Sequence, residues 1–430
     1  MQNIERFTLK GTSVWLICAI FFLYEFLLRT VVGTFQHPIM YDLNLSSIEF
    51  SFLSSTVYLA IYGIMQVPVG FIVDRIGLKK TLLLGCVICA LSSIGFAYSY
   101  GYVSAAFFRF LTGFGSAFGF ICLLVSVYDW LPRKHIALLI GVSQFIGTMG
   151  PMIAAGPLEV IADQGDIDWR SVFTSLAIFG FILSLFIAYF VSNNHEKSGR
   201  YIVLKRPESI LKSLKRLASK PQAWSIALFS ALVYFSLEYL SENEGKIFLV
   251  SKGFSSTFAA FMITTAWIGY AFGCPFLGWL SDFLSRRKPL LILSAFSCTL
   301  GMTCIVYANH SYVITIAFFL LGFGASGQSI AFVMMSEQFK KPYLAASLSM
   351  NNAMIAILSS INAPILGSVL EVLKTTSAPQ LSDYQIAFAG LAAVVSISII
   401  IAIFLLKETY CKSVADFTIL SSERAQVKQN

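Results

Sequence analysis

Four ionisable side chains stand inside long apolar runs. Glu25 and Arg29 lie in Tyr-Glu-Phe-Leu-Leu-Arg, Arg109 in Phe-Phe-Arg-Phe-Leu-Thr, and Glu238 in Phe-Ser-Leu-Glu-Tyr-Leu. A charged side chain at the centre of a bilayer costs about 2.5–3.5 kcal/mol on insertion scales. Four left unpaired would cost on the order of 10 kcal/mol, as much as the net stability of a whole domain. They must therefore face a watery cavity or one another. A carboxylate and a guanidinium at one level can hold a zwitterionic or polar solute, and burial beside charge brings a carboxylate's proton within reach of exchange. The same groups could instead form an internal salt bridge that only pins helices together.

Depth sorts these groups. At about 1.5 Å of rise per residue, Glu25 and Arg109 sit level, and Glu25 and Arg29, four apart, share a helix face and can pair. On this reading Arg29 and Arg109 hold a solute's carboxylate, and Glu25 or Glu238 carries a proton. The run after Glu238, through Glu242, Glu244 and Lys246, is too polar for lipid. The outer third of that helix should open or line the pathway, with Gly245 as its flexible point and Glu242 and Glu244 at the mouth. Gln144, Gln328, Asn351 and Asn352 add polar groups at membrane depth, as solute contacts or as interhelical hydrogen bonds.

The elements that must position these residues are membrane helices. With 57% hydrophobic residues, 12% charged residues and a mean hydropathy of +0.76, the chain lacks the polar surface to cover a soluble globule. A span needs roughly 20 mostly apolar residues. Twelve are predicted, at about 13–35, 47–73, 81–98, 101–128, 136–161, 171–191, 222–250, 255–281, 289–307, 311–338, 343–371 and 384–406. With the N-terminus inside, 24 of the 30 Lys and Arg fall on the inner side and 4 outside, so both termini are expected in the cytoplasm. Residues 192–221 form a basic linker. From Pro207, Ile210, Leu211, Leu214 and Leu217 recur at helical spacing among basic residues, as in an amphipathic helix on the inner leaflet or, more simply, a solvated topological linker.

The chain is also a duplication. Gly70, Asp74, Lys79 and Lys80 return as Gly278, Asp282, Arg287 and Lys288, Asp129 returns as Glu337, and Asn352 is the repeat partner of Gln144, all 208 residues on. The organisation expected is an all-α integral membrane protein of two pseudo-symmetric six-helix bundles. Residues 1–191 form the first, 222–408 the second, and 409–430 a cytoplasmic tail. Two parallel repeats that cannot enclose a pathway alone are a way to build a transporter with its site between them.

Other functions find little support. The net charge of +8 is spread in short clusters between apolar runs, without the aromatic interleaving of a nucleic-acid groove. Cys86 and Cys89, the one Cys-x-x-Cys, fall in a predicted span without a second pair and read as packing. All four histidines, His37, His135, His195 and His310, fall in predicted loops. No metal, cofactor, phosphate-binding loop or hydrolytic triad is expected, and hence no enzyme. The partners expected are a small-molecule solute, protons and the lipid bilayer, with one chain working as a monomer.

Over essentially its whole length the chain resembles the major facilitator superfamily. Gly70 to Lys80 looks like that family's signature loop between helices 2 and 3, though Leu78 stands where a basic residue is usual. Arg109-x-x-x-Gly113-x-Gly115 is similar to its helix 4 motif, and Asp168-Trp169-Arg170 resembles a frequent Gly-Trp-Arg. Gly147-x-x-Gly150-Pro151 only partly matches the helix 5 pattern of exporters. The resemblance implies that helices 1, 4, 7 and 10 line a central cavity. It also implies an inner gate of Asp74, Arg75 and Asp129, with Asp282, Arg286 and Glu337 as counterpart. The opening run from Trp15 to Thr30 looks like the phagosomal transporter branch of intracellular proteobacteria, which implies proton-driven import of an amino acid or, in some members, a nucleoside. A siderophore importer or an efflux transporter of the same fold stays open as an alternative.

Overall fold

The computed structural model describes residues 7–46, 49–50, 52–132, 135–163, 167–192, 215, 217–339, 343–374 and 379–412; the side chain of Asp74 lies outside this set. Among the described residues, twelve helices are long and apolar enough to cross a membrane. They are α1 (Leu9–Thr34), α2 (Phe52–Val73), α3 (Leu78–Ala97), α4 (Tyr102–Trp130), α5 (Ile136–Ala162) and α6 (Trp169–Phe190), then α7 (Pro221–Glu242), α8 (Ser256–Leu284), α9 (Lys288–Tyr307), α10 (Ser311–Glu337), α11 (Leu344–Leu373) and α12 (Leu381–Leu405). All regular structure among the described residues is helical. The linker beyond 192, the amphipathic helix expected from Pro207, and the tail beyond 412 lie almost wholly outside the described residues.

One boundary departs from the expected 222–250. Helix α7 stops at Glu242, Asn243 leaves helical geometry at φ −131° and ψ −113°, and a short helix, Gly245–Ser251, follows. Glu238, Glu242 and Glu244 crowd this end, and the break turns Glu244 away to accept a hydrogen bond from Tyr384 at 3.1 Å. Burial raises the Glu244 pKa, and the Tyr384 hydroxyl offsets part of that rise.

The duplication is visible in packing. Gly278 of α8 lies against Ala137 of α5, and Gly70 of α2 against Ala345 of α11. These are equivalent pairs 208 residues apart, and a Cβ on either glycine would meet the facing carbonyl, so only glycine lets the backbones come this close. Across the middle, Tyr128 of α4 donates to its own repeat equivalent, Ser336 of α10, at 2.7 Å. Helices α4 and α7, which carry Arg109 and Glu238, have 83% of their apolar window buried and α1, which carries Glu25 and Arg29, has 61%, against 33% for α6.

Candidate functional site

A narrow cavity lies between the repeats, with about 30 Å³ of free space in this conformation, room for a water or two and less than a bound solute fills. Its polar lining comes from Glu25 and Arg29 of α1, Tyr62 of α2, Gln144 of α5, Tyr234 and Glu238 of α7, Tyr270 of α8, Gln328 of α10 and Asn352 of α11. Every one of these side chains is under a tenth exposed. We call the membrane surface at which α1 begins and α12 ends the termini face, and the opposite one the far face.

Toward the far face, Arg29 reaches across from α1 to α7. Its Nη2 contacts Glu238, and its Nε lies 2.9 Å from Glu242 Oε1. Glu238 and Glu242 are one helical turn apart, so both face the same guanidinium. This corrects two expectations. Arg29 pairs with α7 rather than with Glu25 on its own helix, and Glu242 is buried at this centre, its side chain 8% exposed, rather than standing at a mouth. The grouping is not saturated: Glu238 Oε2 has no hydrogen-bond donor among the described residues.

Glu25 and Arg109 are brought to one place but not to each other. Between them stands Tyr58, which donates to Glu25 Oε2 at 3.1 Å and lays its ring 4.7 Å from the Arg109 guanidinium carbon. Arg109 spends its donors on four backbone carbonyls, Leu28 at 2.9 Å, Arg29 at 3.2 Å, Leu53 at 3.3 Å and Ser54 at 2.7 Å. Two of these belong to a π-helical turn, Phe52–Thr56, at the start of α2. The planar fork of arginine suits this, since it presents five donors in fixed directions. Arg109 is absent from the cavity lining, so it pins α1 and α2 to α4 and does not stand where it would hold a solute's carboxylate.

The polar amides divide by partner. Asn352 donates to the Tyr62 hydroxyl at 3.0 Å and to Gln66 Oε1 at 2.9 Å, joining α11 to α2. Gln328 accepts from Tyr270 at 2.8 Å. Asn351 lies off the cavity and accepts from Ser230 at 3.0 Å. Sequence reasoning missed Tyr58, Tyr62, Tyr234 and Tyr270 as lining or bridging groups. A signal existed for two of them, because Tyr62 and Tyr270 are repeat partners 208 apart and thus matched polar aromatics inside apolar spans. On the termini side of the cavity, Phe22 packs on Phe120 and Phe120 on Phe332, each pair of ring centroids 4.9 Å apart.

Beyond that aromatic layer, at the termini face, lies a second charged cluster. Arg287 pairs with Asp282 at 2.8 Å and with Glu337 at 2.9 Å. Asp282 also accepts from the backbone N–H groups of Ala137 and Leu138 at the start of α5, at 3.1 and 3.2 Å, so it ties α8 to the other repeat at a helix N-terminus. Burial works against the Arg287 cation, yet Glu337 and Asp282 beside it hold its pKa above the ordinary guanidinium value. The expected Arg286 is not the partner; it lies 5.5 Å from the Tyr410 ring. Ser285 closes α8 in the left-handed region at φ 52°, which turns Arg286 outward and Arg287 back under the helices. Arg75 is exposed and Asp129 half-buried at the same face.

Residues 16–243 match the Major Facilitator Superfamily, and residues 233–416 match it a second time. The chain belongs to that superfamily. It is accordingly a multi-pass membrane transporter, and its fold is shared with the proton:xylose symporter XylE solved with 6-bromo-6-deoxy-D-glucose. That likeness has a TM-score of 0.75 over 95% of this chain and 98% of XylE, at 15% identity. The phosphoglycerate transporter protein of Salmonella typhimurium is 23% identical over 60% of this chain, and the hexuronate transporter of Bacillus subtilis 25% over 46%. The chain spans 62% and 46% of those two relatives' own lengths, and half of a further relative from Campylobacter jejuni. The narrower likeness to the phagosomal transporter branch rests on the sequence of α1 alone.

Proposed function

We propose that this chain is a proton-coupled secondary transporter that imports a small polar organic nutrient, an amino acid foremost, across a bacterial inner membrane by alternating access. One observation carries the reading: a single buried guanidinium, Arg29, sits between two buried carboxylates, Glu238 and Glu242, at the edge of a narrow cavity between the repeats. A zwitterion is the solute that such a trio can take without any change in net charge. Its carboxylate pairs with Arg29 and its ammonium with one of Glu238 and Glu242, while the other carboxylate keeps its place beside Arg29. An organic anion would arrive with one cation to meet it and two carboxylates to repel it.

Glu25 is the proton carrier in this scheme. It lines the cavity, it is 2% exposed, and no ion pair to it occurs among the described residues. A proton moving down 100 mV releases about 2.3 kcal/mol, which sustains a roughly 45-fold gradient of a solute moved with it. The inside bias of Lys and Arg supports placing the termini face in the cytoplasm. The Asp282–Arg287–Glu337 cluster then works as a cytoplasmic gate, with Asp74, Arg75 and Asp129 as its repeat counterpart. The site lies within one chain, which supports action as a monomer.

A second reading is an organic-anion importer, favoured by the phosphoglycerate and hexuronate transporters among the relatives. Uptake by proteoliposomes of radiolabelled amino acids, hexuronates, phosphoglycerate and nucleosides, with and without an acid-outside gradient, separates these. Gradient-stimulated accumulation of an amino acid supports the leading reading. Stimulation confined to anions or nucleosides rejects it, and accumulation that needs an acid-inside gradient rejects import.

A further inference from the structure

The termini-side end of the cavity differs in kind from the Arg29 end. Gln328 lies seventeen residues into α10 counted from the far face, and Gln144 eight residues into α5 counted from the termini face, so by helical rise both sit deeper than Arg29. The aromatic layer of Phe22 and Phe120 lies beside them. Gln144 is 2% exposed, and its carboxamide makes no hydrogen bond among the described residues. Gln328 is 4% exposed and uses only its oxygen, toward Tyr270. Asn352, the repeat partner of Gln144, spends its amide on Tyr62 and Gln66. One member of a duplicated pair therefore joins helices, and the other keeps its donors and acceptor for the cavity.

We propose that Gln144 and Gln328 determine specificity by hydrogen bonding the side chain of the transported amino acid, which makes the substrate class α-amino acids with an uncharged carboxamide or hydroxyl side chain. This rests on the amino-acid reading of the Arg29 end. With the α-carboxylate and α-ammonium held at Arg29, Glu238 and Glu242, the side chain points down the cavity toward the two amides. A buried amide left without a partner loses the hydrogen bonds it had in water. A site of this kind rejects an isostere that cannot supply them, whereas an apolar pocket rejects little. An anionic side chain would find no cation at this end of the lining, and a cationic one would have to draw Glu25 away from Tyr58.

Asparagine and leucine are close in shape and differ in this chemistry, so the test is their competition in counterflow exchange by proteoliposomes holding the full chain. The wild type is expected to prefer asparagine by roughly tenfold or more. Gln144→Leu and Gln328→Leu, which keep volume, should each move the ratio toward leucine by about tenfold. A wild type that prefers leucine or does not discriminate overturns the proposal without any variant, even if a substitution fails to fold. A ratio unchanged in both folded variants also overturns it, and in either case the amino-acid reading stands. If no amino acid exchanges at all, that reading falls and the proposal with it.

Discussion

Two clusters in this protein have the same composition, one arginine between two carboxylates, and differ in how completely they are satisfied. At the termini face, Asp282 and Glu337 receive Arg287, the Ser281 hydroxyl bonds the same arginine at 2.8 Å, two backbone N–H groups of α5 reach Asp282, and the Thr409 hydroxyl reaches Glu337. Around the cavity, Arg29 meets Glu238 and Glu242, and Glu238 Oε2 has no donor among the described residues. A saturated buried cluster holds one geometry, because any rearrangement breaks several hydrogen bonds at low dielectric. An unsaturated one keeps capacity that a ligand can use. The first has the build of a lock and the second of a site.

The largest expected effect comes from removing the two arginines in parallel. Arg29→Met should lower transport by at least about a hundredfold and abolish the shift in melting temperature that a substrate produces, since it strands two carboxylates at a cost of about 3–5 kcal/mol. Arg287→Met should cost a similar amount of stability yet keep the substrate-induced shift. Thermal unfolding in detergent with and without substrate reads both, and loss of the shift in the Arg287 variant would break the distinction between lock and site.

Next in size is Glu25→Gln. Accumulation driven by an acid-outside gradient should disappear while exchange of solute across the membrane persists. If accumulation survives, the proton is carried elsewhere, with Glu238 the next group to test.

Arg109→Lys sharpens the contrast from another side. One ammonium cannot bond four carbonyls at once, so the melting temperature should fall by about 2 °C, with roughly 2 kcal/mol lost. Exchange KM should move by less than about threefold. A KM change as large as that of an Arg29 variant would put Arg109 in contact with solute in some conformation.

The smallest effect is a pH dependence outside the spans. Burial raises the Glu244 pKa above its unfolded value. The folded state therefore binds that proton more tightly, and the associated stability is present below the unfolded value of about 4.3 and lost as pH rises through the folded one. Glu244→Gln should accordingly melt higher than wild type near pH 8, with the gap closing toward about pH 4. A gap constant with pH would assign the difference to the lost Tyr384 contact.

Much of this is legible in the sequence. Apolar runs of span length, the 208-residue repeat and the cost of buried charge led to twelve helices with Glu25, Arg29, Arg109 and Glu238 among the groups that needed an explanation. The pairing was not legible. Glu25 and Arg29 are four apart and face alike, so local geometry favoured their pairing, but α7 brings two carboxylates to Arg29 from more than two hundred residues away. Arg109 looked like a ligand for a carboxylate because backbone carbonyls, which carry no sequence signal, proved to be its partners. Arg286 and Arg287 are adjacent in sequence, and a left-handed Ser285 decided between them.

Periodicity and hydropathy act one residue at a time, and they suffice for the spans, their number, the duplicated halves and the list of charges that could not face lipid. Which of those charges satisfy one another, and which keep spare hydrogen-bonding capacity, follows from the packing of the helices. Satisfaction is a property of pairs. It depends on angstrom-scale approach between helices far apart along the chain, which no count of residues along one helix contains.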